Sequence, residues 1–504
     1  MVICSQKKKK ISKEDSIISF QNRICDLILL EDTPLIEKIK FIKIVLSNLD
    51  EFLSVRLQNS EDLSDNIDEI SQLYCRLGIA LTDINTSYQI EEIESEISMK
   101  KIYMNDISFI YTGENDIQSY VDLSEVLDTE ESTHITLYSK EYDSTALFNI
   151  QVEKGLFEID KYLEIYKKRY PNEVYHQETS FIPHLDYYNL IQHNDMLIRV
   201  PYESYHCVTD FIDQMCTHDR IQAVFITLYR TASHSVIIDS LLKAKKMNKD
   251  VFVYVEPTAR GNEKDNLETI IKLREAGITV NSNYFNYKVH SKVFCAIDKG
   301  GRKYVHVGTG NYNENTGNLY TDCHLLTCNE EIGNEVMRVI LSIFQKTVYL
   351  NRNIESPIHN SPVSLRSQIL EMIRLEEEKG IHGRIWIKCN NLYDTDVINA
   401  LYKASNNGVD VRIICRTRCG IIYPSNLEVR SKVGQYLEHE RIYIFGEKCY
   451  ISSADLLVRN ISKRVEILCQ VPIQIEVKIE NIFLSVWNSK HIHRLTEDGR
   501  WEVT

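Results

Sequence analysis

Two histidine-centred segments of similar design carry the side chains best suited to chemistry. The first reads Lys288-Val289-His290-Ser291-Lys292, and the second reads Leu437-Glu438-His439-Glu440-Arg441. In each segment a cation follows the histidine by two residues, so on a strand both side chains point to one face. An imidazole beside a fixed positive charge suits nucleophilic attack on a phosphoryl group. The pattern therefore predicts phosphate chemistry.

Small and hydroxylated residues follow the first segment at Gly308-Thr309-Gly310-Asn311. The intervening sequence predicts a β-hairpin that turns around Gly300-Gly301, in the register that pairs Asp298 with Lys303. This register places Asn311 opposite His290, and it places His306 opposite Cys295 on the other face. We therefore expect His290 to react, Asn311 to face the same pocket and His306 to support the strand.

The second segment predicts a similar hairpin around Gly446. Pairing Phe445 with Cys449 or Tyr450 would place Ala454 or Asp455 near His439. In that position the Asp455 carboxylate could orient the imidazole, fix its tautomer and raise its proton affinity.

The bulk composition restricts the class of protein. The chain has 504 residues, 43% of them apolar, and a net charge of −14, which argues against a general binder of nucleic acid or membrane surfaces. Its 13 cysteines include no CxxC pair, which is typical of scattered intracellular thiols. The sequence shows no signal peptide and no run of 18 apolar residues. We expect a cytoplasmic enzyme whose phosphate site is a local basic cleft, and peripheral membrane association stays open.

Residue periodicity divides the chain into four regions. Three- and four-residue apolar spacing predicts helix from about 13 to 58, and an acidic stretch from about 60 to 185 mixes helical and alternating patterns. From Asp195 onward, β runs alternate with helices. Seven residues between Ile238 and Val253 correspond to residues 160 positions later, between Ile398 and Ile413, with six pairs identical and one a valine matched by an isoleucine, which indicates a duplication. The predicted domains are an N-terminal helical domain (1–60), an α+β head (61–185) and two similar α/β domains (186–352 and 353–504).

Longer motifs connect the chain with a known family. The segments 304–322 (YVHVGTGNYNENTGNLYTD), 437–445 (LEHERIYIF) and 450–467 (YISSADLLVRNISKRVEI) closely resemble the polyphosphate kinase family. Further similar segments are 47–56 (SNLDEFLSVR), 195–205 (DMLIRVPYESY) and 227–231 (TLYRT). The resemblance implies a multidomain α/β fold in which the two C-terminal domains are phospholipase-D-like. It also implies reversible transfer of the terminal phosphoryl group of ATP to inorganic polyphosphate, with Mg²⁺ as cofactor.

The resemblance also implies roles for individual residues. His290 matches the histidine that becomes phosphorylated, and His439 matches the second active-site histidine, expected to serve in acid–base chemistry and phosphate stabilisation. The positions that match nucleotide or phosphate contacts are Gln21, Tyr320, Arg416 and Arg464, to which the hairpin adds Lys292 and Asn311. Arg230 and Arg260 match arginines near the magnesium, although an arginine cannot itself be a metal ligand. The expected partners are ATP or ADP and polyphosphate, without nucleic acid, in a homo-oligomer of two or four subunits.

Some positions depart from the family pattern. The head region is short, the loop after Arg416 lacks a glycine-rich insertion, and Ile17 and Gln21 replace a tryptophan and an asparagine of the family. Two alternatives stay open, a phospholipase-D-like phosphodiesterase and a non-catalytic polyphosphate-binding protein. The phosphodiesterase motif HxKxxxxD would require an acid at position 297, where this chain has Ile297.

Overall fold

The described residues fall mainly in the C-terminal two thirds of the chain. The computed structural model describes residues 13–30, isolated positions between 33 and 76, residues 134, 135, 150 and 151, and 185–504 except 232–234, 260–261, 283–286, 348, 350–352, 425 and 435. The chain divides into two compact units, Met1–His176 and Gln177–Thr504.

The described part of the first unit is chiefly helical. A helix spans Lys13–Leu29, and it buries Ile18, Ile24 and Ile28 on one face. Gln21 lies within this helix with its side chain buried. Described positions between 37 and 48 are also helical, as the apolar spacing predicts. Most of the predicted head lies outside the described residues, apart from a two-stranded antiparallel pair of β1 (His134–Ile135) and β2 (Ile150–Gln151).

The second unit contains two mixed sheets and the helices that cover them. The strands of its first half are β3 (Met196–Val200), β4 (Ile221–Leu228), β5 (Asp250–Val255), β6 (Thr279–Asn281), β7 (Lys288–Val289), β8 (Lys292–Asp298), β9 (Lys303–Gly308) and β10 (Tyr320–Thr327). Those of its second half are β11 (Ile358–Ser361), β12 (Arg384–Leu392), β13 (Asp410–Cys419), β14 (Glu428–Ser431), β15 (Leu437–Glu438), β16 (Ile442–Phe445), β17 (Lys448–Ser452), β18 (Arg464–Gln470), β19 (His493–Leu495) and β20 (Trp501–Val503).

Helices connect these strands in both halves. Those of the first half are Tyr187–Leu190, His206–Thr217, Val236–Lys246, Glu263–Glu275, Glu314–Gly317 and Glu330–Gln345. Those of the second half are Leu365–Glu378, Thr395–Asn406, Val458–Lys463 and Ile473–Trp487, with a 3₁₀ turn at Gly380–His382.

The strand order confirms the predicted duplication. In the first sheet the order β10-β9-β8-β4-β5-β6 has β3 paired with β10, and in the second the order β18-β17-β16-β12-β13-β14 has β11 paired with β18. The central strands β4, β5 and β6 are parallel, as are β12, β13 and β14. The predicted multidomain α/β fold with two duplicated domains is thus confirmed.

Each histidine-bearing segment crosses to the sheet of the other half. Strand β7, just before His290, pairs in parallel with β18, so that Lys288 lies beside Arg464. Strand β15, just before His439, pairs in parallel with β10, so that Leu437 lies beside Tyr320. The two crossings are equivalent under the duplication. They bring the two histidine segments to the junction of the halves.

Three apolar clusters stabilise this arrangement. One cluster lies within the first half and packs Phe211, Leu241 and Phe294 between the sheet and its helices. A second cluster lies within the second half and packs Leu365, Leu401 and Ile413 between the other sheet and its helices. The third joins the halves, since it contains Val293 and Leu325 of the first sheet together with Ile444 and Ile467 of the second sheet and Phe483 of the helix Ile473–Trp487. Each fully buried side chain of this size contributes about 1.5–3 kcal/mol, so the junction is a true core rather than a loose domain contact.

Candidate active site

His290 is held by a carboxylate from the opposite half. The residue follows β7, and its backbone N–H donates to the carbonyl oxygen of Val465 at 2.9 Å. Its Nδ1 lies 2.9 Å from Oε2 of Glu466, which stands two residues into β18. The Glu466 side chain is fully buried and that of His290 is only 12% exposed. A buried carboxylate at Nδ1 favours the tautomer with the proton on Nδ1, which leaves the lone pair on Nε2.

Lys292 provides the positive charge beside this imidazole, as the two-residue spacing predicts. Its Nζ lies 2.9 Å from Nδ1 and 3.0 Å from Nε2 of His290, and it donates to the His290 carbonyl oxygen at 2.6 Å. The Tyr229 ring meets the imidazole edge-on, with 4.5 Å between centroids. The ammonium group therefore lies where it can neutralise negative charge on the oxygens of a phosphoryl group that reaches His290.

His439 repeats this arrangement with the halves exchanged. Its Nδ1 lies 2.9 Å from Oδ1 and 3.0 Å from Oδ2 of Asp322, which stands two residues into β10. Arg441 takes the place of the lysine, with NH1 at 3.1 Å from Nε2. The Tyr320 ring packs against the imidazole at 5.2 Å between centroids. Each half therefore supplies one histidine and the carboxylate for the other histidine.

A hydroxyl group supports each carboxylate in the same way. The Thr309 hydroxyl donates to Asp322 at 2.6 Å, and the Ser453 hydroxyl donates to Glu466 at 2.6 Å. The two acids are 144 residues apart in sequence, as are the two hydroxyl residues. This explains the small, hydroxylated residues after each histidine segment. Their side chains complete a chain of hydroxyl, carboxylate and imidazole in both halves.

The glycine in the first of these runs makes room for the carboxylate. A Cβ atom placed on Gly310 would overlap the Asp322 side chain, including its carboxylate oxygen. Because Asp322 must reach His439, any side chain at position 310 would compete with it for space. The Gly-Thr-Gly-Asn run therefore serves the second histidine, His439, through Asp322.

Asp455 contacts Arg441 rather than His439, contrary to the predicted contact. Its two oxygens accept from Nε and NH2 of Arg441 at 3.2 and 3.3 Å, and Oδ1 also accepts from the backbone N–H of Asn390 at 2.9 Å. The hairpin is tighter than predicted, with Phe445 paired to Lys448 rather than to Cys449 or Tyr450. Asp455 consequently orients the cation, while Asp322 orients the imidazole.

The first hairpin also differs from its predicted register by one residue. Lys292 pairs with Gly308 and Ile297 with Lys303, because a three-residue loop closes at Asp298 and Arg302. Gly301 adopts a φ of +86°, which a three-residue hairpin loop of this kind requires. A one-residue shift exchanges the faces of the ribbon, so the predicted facing of Asn311 and His290 does not follow from strand pairing.

His306 lies opposite Phe294 instead of Cys295, and its contacts are internal. Its Nδ1 lies 2.6 Å from the Tyr312 hydroxyl and its Nε2 lies 2.8 Å from Nδ1 of His324. The side chain is fully buried. Asn311 is linked to this group through Tyr205, whose ring packs edge-on against His324 at 5.9 Å between centroids and whose hydroxyl donates to the Asn311 carbonyl oxygen at 3.4 Å. The side-chain Oδ1 of Asn311 is buried without a hydrogen-bond partner in the described part of the chain.

Burial and neighbouring cations keep both imidazoles neutral. Burial, Lys292 and Arg464 hold the pKa of His290 well below its usual value. Burial and Arg441 lower the pKa of His439 to about 4, although Asp322 acts in the opposite direction. Neutral imidazoles with the proton on Nδ1 can present an unprotonated Nε2.

The two carboxylates differ in proton affinity. Burial raises the pKa of Glu466 to about 7, against the opposing effect of Lys292. In Asp322, burial is outweighed by the interaction with His439, and the pKa is lowered to about 2. Burial also holds the pKa of Lys292 well below its usual value. The His290 site therefore titrates near neutral pH, whereas the His439 site does not.

Three further predicted arginines border the same region. Arg464 lies 3.9 Å from Glu466, and it pairs with Lys288 across the β7–β18 junction. Arg416, within β13, donates to the carbonyl oxygen of Glu438 at 2.9 Å, and Glu438 directly precedes His439. Arg230 follows β4 beside Tyr229, with its guanidinium 6.0 Å from that ring. The structure thus brings these arginines together with the two histidines, while Arg260 lies outside the described residues.

Sequence reasoning missed Asp322 and Glu466, although a signal was present. Tyr320-Thr321-Asp322 and Arg464-Val465-Glu466 occupy equivalent positions in the duplication. Both end in an acid two residues after a phosphate-contact candidate. Aligning the two halves over their full length would have exposed this pair of acids.

Neither a metal centre nor a membrane span is present in the described part of the chain. No group of three or more histidine, cysteine, aspartate or glutamate residues there could hold a metal ion. The two acids nearest the histidines are already engaged by imidazoles and hydroxyls. These residues do not fit a Mg²⁺ site built from protein ligands alone. Among the same residues, no helix is long and apolar enough to cross a membrane.

Comparison with known proteins agrees with the duplicated fold. Models of the polyphosphate kinase N-terminal domain, C-terminal domain 1 and C-terminal domain 2 match residues 10–104, 186–348 and 358–504. The crystal structure of polyphosphate kinase from Porphyromonas gingivalis superposes with a TM-score of 0.71, at 21% identity, over 99% of this chain and 96% of that one. This likeness shows the class of fold, that of a polyphosphate kinase.

Curated relatives extend the comparison to sequence. A polyphosphate kinase of Synechocystis is 37% identical over 57% of this chain and 41% of its own length. A polyphosphate kinase of Erythrobacter litoralis is 34% identical over 68% of this chain and 49% of its own length. The chain therefore spans about half the length of the curated relatives it matches. Together with the three domain matches, these relatives show that the chain belongs to the polyphosphate kinase family.

Proposed function

We propose that this chain transfers the terminal phosphoryl group of ATP to inorganic polyphosphate, reversibly, through a phosphohistidine on His290. The observation that carries the proposal is the contact between His290 Nδ1 and the buried Glu466 carboxylate at 2.9 Å. This contact directs the lone pair of the neutral ring to Nε2, the nitrogen that can act as a nucleophile. The same contact leaves Nδ1 protonated throughout the reaction.

In the first step, Nε2 of His290 attacks the terminal phosphorus of ATP. A P–N bond forms, the bond from that phosphorus to the bridging oxygen breaks, and ADP leaves with the electron pair. The Glu466 carboxylate, which accepts from Nδ1–H, stabilises the positive charge that the ring gains when Nε2 gives its electron pair to phosphorus. After ADP has left, an oxygen of the terminal phosphate of polyphosphate attacks the phosphorus on His290. The new P–O bond forms as the P–N bond breaks, and the electron pair returns to Nε2.

Cations on both sides would stabilise the charge that phosphoryl transfer develops. Lys292 lies within 3.0 Å of both nitrogens of the His290 ring and can donate to a phosphoryl oxygen there. Arg441, Arg416 and Arg464 approach from the second half, and guanidinium groups bind phosphate oxygens in a bidentate manner. Arg230 extends this group. Magnesium would enter bound to the phosphates of ATP, as part of the substrate, with Arg230 and Arg260 near it.

His439 would assist the acceptor phosphate. Its pKa of about 4 makes it neutral at pH 7, so it can accept a proton from the terminal phosphate as that oxygen attacks. Asp322 keeps its ring oriented for this task. Tyr320, which packs on the same ring, would contact the adenine. For Gln21, a role in nucleotide binding is proposed from the family resemblance alone. Asn311 would contact phosphate, whereas His306 would only support the strand.

Other features of the family carry over to this chain as proposals. They are a cytoplasmic location, a homo-oligomer of two or four subunits, and the four domains with bounds at 60, 185 and 352. Phosphodiester cleavage without ATP consumption, and polyphosphate binding without turnover, are the competing functions.

Incubation with γ-labelled ATP and Mg²⁺ tests the proposal directly. The parent protein should acquire acid-labile, base-stable label and elongate polyphosphate, measured as product chain length. His290→Ala should lose the label, while His439→Ala should lose elongation. Label that survives in His290→Ala would refute the assignment of the nucleophile. Release of an alcohol from a phosphodiester by an unlabelled protein would favour the phosphodiesterase instead.

A further inference from the structure

The two histidines differ in the residues that flank them. His290 stands between Val289 and Ser291, whereas His439 stands between Glu438 and Glu440. Both glutamate side chains are buried, at 7% and 0% exposure. A buried carboxylate is costly unless it is paired, so two of them beside one histidine require compensation.

Two buried cations provide this compensation. Nζ of Lys388, on β12, lies 2.8 Å from Glu438 and 3.0 Å from Glu440. NH2 of Arg199, on β3, lies 3.0 Å from the other oxygen of Glu440. We call Arg199, Lys388, Glu438 and Glu440 the four-charge network. Its two positive and two negative charges balance, and it joins the first half through Arg199 to the second half through Lys388.

The network is directly connected to the backbone of His439. The Thr321 hydroxyl, on β10, accepts from the backbone N–H of His439 at 3.1 Å and also donates to Glu440. Thr321 and Glu438 are register partners in the β10–β15 pair. Glu440 thus fixes the hydroxyl that fixes the histidine backbone.

We propose that Lys388 and Arg199 are positioning residues for His439, because their network holds the His439 segment between the two halves and balances the charge around its ring. The inference rests on the proposed function, and it predicts that loss of the network disturbs His439 but not His290. In the described part of the chain, His290 is not flanked by an equivalent network, since its neighbours Val289 and Ser291 carry no charge. Loss of the network should therefore impair the step that needs His439 more than the capture of phosphate by His290.

The charge balance of the network can be tested through the pKa of His439, which a purely structural role of Lys388 would not change. Removing Lys388 leaves one surplus negative charge beside His439, and an added negative charge raises the pKa of an imidazole. The other titratable groups that face this ring are Asp322 and Tyr320 from β10, Arg441, Arg416 from β13, and His290. None of these is altered by the substitution, so a change in the pKa of His439 reports on the network.

The test compares Lys388→Met with the charge-balanced double variant Lys388→Met/Glu438→Gln. The pKa of His439 is measured by NMR titration of ¹⁵N-histidine-labelled full-length protein, with its signal assigned through His439→Gln. The single variant should raise this pKa by about one unit or more. It should also lower kcat for polyphosphate elongation about tenfold or more, with little change in KM for ATP or in single-turnover labelling of His290. The double variant should restore the pKa and most of kcat.

Either variant can overturn the proposal. A folded Lys388→Met protein with the parent pKa for His439 and the parent kcat contradicts it. If the single variant does not fold, the double variant tests the proposal instead. A folded double variant whose His439 pKa differs from that of the parent protein also contradicts the proposal. The titration needs no activity, so an absence of labelling in the parent would reject the proposed function without deciding the role of Lys388.

Discussion

His290 and Glu466 form a contact of 2.9 Å although they come from opposite halves of a duplicated fold. The equivalent contact joins His439 to Asp322 in the opposite direction. Both arise because short strands β7 and β15 each pair with the sheet of the other half. Neither histidine can be oriented within its own half, so the candidate site exists only when the two halves fold together.

The pH dependence of His290 phosphorylation should follow Glu466. Burial raises the pKa of Glu466 to about 7. Ionised Glu466 accepts the Nδ1 proton and leaves Nε2 free, whereas protonated Glu466 would donate to Nδ1 and move the ring proton to Nε2. Labelling from ATP should therefore increase as pH rises through about 7, as single-turnover rates between pH 5.5 and 8.5 can show.

The variant Glu466→Gln tests whether Glu466 causes the pH dependence of His290 phosphorylation. The amide cannot titrate, so the step near pH 7 should disappear and the rate at pH 8 should fall by about 10²–10⁴-fold. Glu371→Gln, which alters an exposed helical pair with Arg374, should keep the parent profile. A step near pH 7 that persists in Glu466→Gln would assign the titration to another group.

Asp322→Asn should impair elongation through His439. An asparagine can present its NH₂ group to Nδ1, which favours the wrong tautomer and releases the ring from its orientation. We expect kcat for elongation to fall about 10²–10⁴-fold while labelling of His290 persists. Asp239→Asn, at an exposed helix position, serves as the control. Equal loss of labelling and elongation would argue against separate tasks for the two histidines.

Gly310→Ala should disturb His439 indirectly, through Asp322. The added methyl group overlaps the Asp322 carboxylate, which must move away from His439. Overpacking of this kind costs about 1–3 kcal/mol of unfolding free energy, and elongation should fall with it. Gly300→Ala lies in the hairpin loop and meets only the Asp298 side chain, at 3.2 Å, so it should have the parent activity. Urea unfolding and elongation assays on both variants would check this.

Asp455→Asn should destabilise the protein because it leaves Arg441 as a buried charge without its carboxylate. Breaking a buried ion pair in this way costs about 3–5 kcal/mol, visible as a lower midpoint in urea. Asp498→Asn removes an exposed pair with Arg500 and should leave the midpoint unchanged. If the Asp455→Asn midpoint equals that of the parent, solvent or another side chain must compensate Arg441.

Much of the fold was predictable because its signals are local or repeated. The 160-residue recurrence predicted the duplicated domains, and alternation on a strand predicted that Lys292 would accompany His290. The helix at Lys13–Leu29 agrees with its apolar spacing. The hairpin registers were wrong because they depend on loop conformation, as with the left-handed Gly301, and a shift of one residue exchanges the two faces.

By itself, the sequence determined the reacting residue types, their spacing and the duplication, since these follow from periodicity and composition. Only the tertiary structure decided which acids serve the histidines. Glu466 is 176 residues from His290, and Asp322 is 117 residues from His439. No local propensity encodes contacts at such separations. They result from the crossing of β7 and β15, which depends on how the two sheets bury their shared core.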